Sequence, residues 1–268
     1  INLFRFSVVL LFNDVFFCVF FFVSTILSRP PYNDLYIGQG GNILMCFSIT
    51  ASFSSAAILI TGGLFCLKKT AHANKPYWVF ALLPLMFGIQ QAIEGVVWWA
   101  LGANHPENLR LSALGFLFFS HFIWLVWIPF SCYQTEPSNN RKMLFLLISG
   151  TGVIFGASMF TPFLLYSDWL TVSAVNHSIA YQTTLIYDEY LPRIVVTAGY
   201  MLIVLVPLML SSGRHHRILG MLALLSAVLT MAFFNFAFIS VWCYFAAVIS
   251  LYVYYITVIK PESVTCHA

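Results

Sequence analysis

Phe87-Gly88-Ile89-Gln90-Gln91-Ala92-Ile93-Glu94-Gly95-Val96-Val97-Trp98 sets two amides and a carboxylate inside an otherwise apolar run. The run extends over about 77–101, and ~20 such residues suffice to cross the hydrocarbon core of a bilayer as a helix. An ionisable side chain at that depth costs at least ~2.5–3.5 kcal/mol on insertion scales, so it faces protein or water and marks a site. Gln90, Glu94 and Trp98 recur at i, i+4 and i+8 and share one helix face, with Gln91 beside them.

The rest of the chain repeats the apolar pattern. It is 60% hydrophobic and 8% charged, against ~25% charged in a soluble domain, so it reads as a polytopic membrane protein whose solvent is the lipid bilayer. Seven apolar runs fall at about 47–67, 77–101, 110–133, 143–166, 191–211, 217–236 and 239–259. Short linkers make consecutive helices antiparallel neighbours. The expected fold is an all-α bundle of seven transmembrane helices with one small external β-hairpin between helices four and five. That hairpin is Leu170–Val175 and Ile179–Thr184 around Asn176-His177-Ser178; it is either a solvated loop or a lid over the bundle. Gly152-x-x-x-Gly156 in run four permits close helix contact, and Pro162 is expected to kink the end of that run. No basic cluster is long enough for nucleic acid, and the six cysteines lack C-x-x-C spacing.

Basic residues set the orientation. Lys68, Lys69, Lys75, Arg141, Lys142, Arg214, Arg217 and Lys260 occupy one set of loops. The alternate loops carry only Arg110 and Arg193 beside Glu107, Asp168, Asp188 and Glu189. The positive-inside rule then puts the N-terminus out and the C-terminus in, in a bacterial inner (plasma) membrane.

Residues 1–44 read differently. The chain begins with Ile1, and its first methionine is Met45. Residues 1–28 are apolar and Phe-rich but include Arg5 and Asp14, and 29–44 have linker composition. Gln39-Gly40-Gly41 can be encoded as CAA-GGA-GGT, a ribosome-binding sequence, shortly before Met45. The expectation is that 1–44 is translated upstream sequence and 45–268 the seven-helix domain; a signal anchor or a cleaved signal peptide is the alternative.

Around Glu94, the polar side chains gather at one end of the bundle. His121 lies about eleven residues along run three, ~16 Å deep, and Glu94 about seven residues below the end of run two, ~10 Å deep, so a contact between them is expected. His121, Trp124 and Trp127 follow at i+3 steps. Ser48 and Ser52 of run one, Asn235 of run six and Cys243 of run seven reach the same end. Each has an ordinary explanation: the serines can bond their own helix backbone, the glutamines can join helices, and His121 can be a satisfied neutral histidine.

Three mechanisms fit. Glu94 and His121 can hold a metal ion with Cys243, Cys46 or water, although no H-x-x-x-H or H-E-x-x-H is present. They can act as a proton-coupled or acid–base pair on a small or lipid-like substrate. They can instead bind an ion or ligand and transmit a signal. Cys46 and Cys243 lie at one end and can form a disulfide in an oxidising compartment, with Cys266 at the other end; a processed start would leave Cys46 as an N-terminal nucleophile. The leading expectation is a binding or transport-type protein; an intramembrane, metal-dependent hydrolase or a structural subunit is the alternative.

Met45-Cys46-Phe47-Ser48-Ile49-Thr50-Ala51-Ser52-Phe53, Pro84 to Gln91 with Glu94-Gly95 and Trp98, and Ser240-Val241-Trp242-Cys243 resemble a family of small prokaryotic multi-pass membrane proteins of unknown function. The resemblance spans most of 45–259 and implies no activity. The helix count invites comparison with microbial rhodopsins and with ceramidase and adiponectin-receptor-like hydrolases. A rhodopsin places a Schiff-base lysine in its last helix, and here every lysine lies in or beside a loop, which argues against retinal. The hydrolases carry paired histidines in the last helix, and run seven has none. Helix count alone does not imply function.

Overall fold

A computed structural model of the protein describes residues 48–73, 77–175 and 178–259. The expected upstream segment 1–44, and Cys46, Lys75, Asn176, His177, Lys260 and Cys266, lie outside the described residues. Seven helices among the described residues are long and apolar enough to cross a membrane: α1 (Ile49–Ala71), α2 (Trp78–Ala103), α3 (Pro106–Thr135), α4 (Asn139–Leu165), α5 (Arg193–Leu210), α6 (Arg214–Phe233) and α7 (Asn235–Val258). Their outward faces are apolar, with Leu147, Ile154, Leu202 and Leu225 exposed, as a lipid-facing surface requires.

Local chemistry sets the helix ends. Ser48 Oγ accepts the Ala51 amide at 3.2 Å and caps α1. Asn104 closes α2 in the left-handed region at φ 56°, a conformation asparagine tolerates, and Pro106 then opens α3 without needing an amide partner. Helix α4 ends three residues past Pro162. Helix α6 begins at Arg214 rather than about 217, so His215 and His216 are helical, and it ends at Phe233. Asn235 therefore opens α7 instead of closing α6.

Helix α2 is the hub. It packs against α1, α3 and α7, while α3 packs against α4 and α5, and α6 lies between α5 and α7. Close approach of α1 and α2 depends on glycine: a Cβ at Gly88 would stand 2.8 Å from the Ile60 amide nitrogen, and one at Gly63 2.5 Å from the Leu85 nitrogen. The Gly152-x-x-x-Gly156 contact falls on α3. A Cβ at Gly152 would lie 2.1 Å from the Leu125 carbonyl oxygen, and one at Gly156 3.0 Å from that of His121.

Strands β1 (Leu170–Val175) and β2 (Ser178–Thr183) pair antiparallel, from Val175 opposite Ser178 to Leu170 opposite Thr183. β2 is not a solvated loop: Ser178, Ile179, Ala180 and Tyr181 are all buried, and the strand lies against α7. The hairpin thus covers one end of the bundle. The ends of α3 and α5 and the starts of α4 and α6 lie at the other.

Candidate functional site

The hairpin end of α2 carries the polar cluster. Glu94 is 3% exposed, and Gln90 and Gln91 are fully buried. Ser240 Oγ of α7 donates to Glu94 Oε1 at 2.5 Å, and Gln91 Nε2, one turn back on α2, donates to Oε2 at 3.1 Å. Successive residues diverge around a helix, so Gln90 turns instead to α3, where its Oε1 accepts Trp124 Nε1–H at 2.9 Å. The Trp124 ring stacks on Phe87 with centroids 3.9 Å apart. Gly95 leaves room for Phe53 of α1, whose ring would meet a Cβ there at 2.8 Å.

Strand β2 supplies the roof. Tyr181 stacks on Phe116 at 4.9 Å with the rings 4° from parallel, and its hydroxyl is buried without a hydrogen-bond partner. Burial first, then the neighbouring Glu94 and Cys243, holds this phenol well above the ordinary tyrosine range, so it remains a donor. Among the described residues five buried side-chain atoms lack a partner, and three are here: Gln90 Nε2, Gln91 Oε1 and Tyr181 Oη.

His121 stands apart. It lies in a five-residue π-helical turn, Phe119–Ile123, which adds a residue to the α3 spiral and displaces the i+3 alignment of His121 with Trp124 and Trp127. Ser120 Oγ lies 2.9 Å from His121 Nδ1, and the Ser120 carbonyl accepts Tyr200 Oη–H at 2.6 Å. The imidazole meets Phe163 edge-on at 5.6 Å and lines a cavity of about 100 Å³ with Tyr200, Trp242 and Cys243. No hydrogen bond or ion pair among the described residues joins it to Glu94; the carboxylate finds Ser240 and Gln91 instead.

Residues 45–267 match a family described as a family of unknown function, DUF6629. The chain belongs to DUF6629. No curated protein and no solved structure matches it.

The remaining expected residues divide. Ser48 is the α1 cap described above, and Ser52 is buried on the same helix. Trp98 packs, half-buried, against the core. Asn235 is exposed and lines a separate, larger cavity near Arg193 rather than facing Glu94. Cys243 is a buried free thiol beside Gln90 and Glu94. No group of three His, Cys, Asp or Glu side chains converges among the described residues.

Two partners escaped sequence reasoning. Ser240, 146 residues from Glu94, is legible in the sequence only as part of the Ser240-Val241-Trp242-Cys243 stretch and not as a partner of Glu94, and Tyr181 only as a hairpin residue. At the opposite end, Glu136 was also missed. Its carboxylate accepts the Ser212 amide at 2.8 Å and hydroxyl at 2.5 Å, and Arg141 Nε stands 3.4 Å away. This side chain is fully buried and ties the α3–α4 link to the α5–α6 link.

Proposed function

We propose that this chain is a binding or transport-type protein of the bacterial plasma membrane, N-terminus out, with an outward polar site built on Glu94, Gln90, Gln91 and Tyr181. The unpartnered atoms beside the Glu94 carboxylate carry this reading. Each buried polar group left unpaired costs ~1–3 kcal/mol, which an occupant with matching groups offsets. Gln90 Nε2 and Tyr181 Oη are donors, and Gln91 Oε1 is an acceptor. The matching occupant is a small molecule offering both an acceptor and a donor. A bare cation would satisfy Gln91 and Glu94 alone.

Charge supports the orientation. Lys68, Lys69, Arg141, Lys142, Arg214 and Arg217 lie at the end away from the hairpin. At the hairpin end Arg110 bonds the Phe163 and Ser167 carbonyls and Arg193 pairs with Asp188, so their charges are partly compensated. A second reading also has an observation behind it: Ser240–Glu94 joins α7 to α2, as a purely structural lock would. The enzyme reading needs Glu94 and His121 to act on one substrate or metal ion, and nothing in their hydrogen bonding favours it.

The test is thermal unfolding of the purified protein against free amino acids, polyols and alkali cations. A site ligand at 100 times its Kd stabilises by ~2.7 kcal/mol. At least one small polar compound should raise the melting temperature of the wild type and leave Glu94→Gln unshifted. If Glu94→Gln melts lower yet keeps every ligand shift, Glu94 is only a lock. A cysteine at position 176 should label from outside the cell.

A further inference from the structure

We propose that a second site, between α5 and α7, holds a single-chain lipid with its acyl chain along the bundle and its polar head at Arg193. Three cavities adjoin there. The mouth, about 480 Å³, is lined by polar Gln182, Arg193 and Asn235 as well as Phe236. The His121 cavity, about 100 Å³, shares Thr183, Arg193, Thr197, Phe238 and Ile239 with it. The deepest, about 50 Å³, shares Tyr200, Trp242 and Cys243 with the second.

The walls form continuous helical stripes. On α5, Arg193, Thr197, Tyr200, Val204 and Leu208 follow at steps of three or four; on α7, so do Asn235, Ile239, Trp242, Ala246 and Ile249. Arg193 to Leu208 spans roughly 22 Å at 1.5 Å per residue, comparable to an extended long acyl chain.

Polarity falls along this path. In the deepest cavity the polar hydrogens of Tyr200, Trp242 and Ser250 are all donated to backbone carbonyls, of Ser120 at 2.6 Å, Ala223 at 3.4 Å and Ala247 at 2.6 Å. The wall therefore presents chiefly carbon, and water would find few partners there. One water-sized sphere needs ~10–15 Å³, so this cavity of about 50 Å³ has room for roughly three to five of them, space for part of one hydrocarbon chain and not for two. At the mouth, Arg193 is paired with Asp188 through Nε and Nη2 and bonded to the Thr183 carbonyl and hydroxyl, which fixes its position and leaves one Nη1 hydrogen; that donor and the side-chain amides of Gln182 and Asn235 face the polar head.

The proposal rests on the reading of this bundle as a ligand-binding protein but not on Glu94, which lines none of these cavities. The test uses the full chain in phosphatidylcholine nanodiscs and palmitic acid carrying a mid-chain diazirine. Photolysis should label Val204, Leu208, Ala246 or Ile249. Ala246→Phe, which fills the bore, should lower that labelling about tenfold or more, and Glu94→Gln should leave it unchanged. Competition by unlabelled palmitate alone assigns a free fatty acid; by lysophosphatidylglycerol alone, a lysolipid; by both, recognition of the acyl chain itself. Label confined to outward residues such as Leu202, Leu225 and Val228, or not displaced by either competitor, overturns the proposal. If Ala246→Phe does not fold, the wild-type label map and the competition decide.

Discussion

Gly152→Ala tests the contact that places His121. A Cβ at Gly152 would stand 2.1 Å from the Leu125 oxygen and 2.7 Å from its carbonyl carbon, roughly 1.3 Å inside ordinary van der Waals contact. Both atoms are backbone, so no side-chain rotation relieves the clash; α4 must move away from α3. Overpacking costs ~1–3 kcal/mol. Retreat also stretches Ser149 Oγ–H to the Val126 carbonyl, now 3.0 Å, and separates Gly156 from the His121 carbonyl. Alanine recovers ~0.5–1 kcal/mol of helix propensity, leaving a net loss of up to about 2.5 kcal/mol before the weakened Ser149 bond is added. Gly150 is the control. Nothing lies within 4 Å of its Cβ position, so Gly150→Ala keeps the propensity gain and should stabilise the protein. The same substitution two residues apart is thus expected to change sign. Unfolding in one detergent, followed by the fluorescence of the seven tryptophans, measures both. Equal stability of the two variants would refute the close α3–α4 packing and, with it, this placement of His121.

Two further substitutions probe other polar contacts. For Glu136, burial raises the carboxyl pKa, but the Ser212 hydroxyl and amide, the Ser138 amide and Arg141 outweigh it and hold the group below the usual carboxylate range. Its stabilisation is therefore present above the unfolded value of ~4.3 and lost as pH falls through the lower native value. Glu136→Gln should cost about 1–3 kcal/mol at neutral pH, and the gap in melting temperature should narrow in acid; parallel pH curves would sink the argument. Trp124→Phe retains a ring to stack on Phe87 but removes the donor to Gln90, whose Nε2 already lacks a partner. A loss of about 1–3 kcal/mol is expected, and a melting curve matching the wild type would mean that Gln90 is satisfied elsewhere.

Hydropathy made the seven spans legible because a lipid-crossing helix needs only length and apolar composition. The burial of Glu94 was legible for the same reason. Its partners were not. Counting at 1.5 Å per residue assumes a uniform α-helix, and the π turn at Phe119–Ile123 breaks that assumption at His121 itself. Gly152 and Gly156 announced a close contact without naming α3, since the motif specifies one surface only. Glu136 resembled an ordinary loop carboxylate; its burial depends on the α5–α6 link folding over it, which no local pattern encodes.

The two proposed sites ask opposite things of α7. Toward α2, it presents Ser240 to a cluster whose donors and acceptors are incompletely matched. Toward α5, it presents Trp242 to a cavity where the polar hydrogens are already bonded to backbone. The first environment favours a small polar molecule and the second a hydrocarbon chain. Tyr181 links them at the hairpin end: it lines the mouth cavity, while its hydroxyl lies within the electrostatic reach of Glu94. Strand β2 is therefore the partition between that mouth and the carboxylate. Arg193 holds the end of this partition through the Thr183 carbonyl and hydroxyl while paired with Asp188.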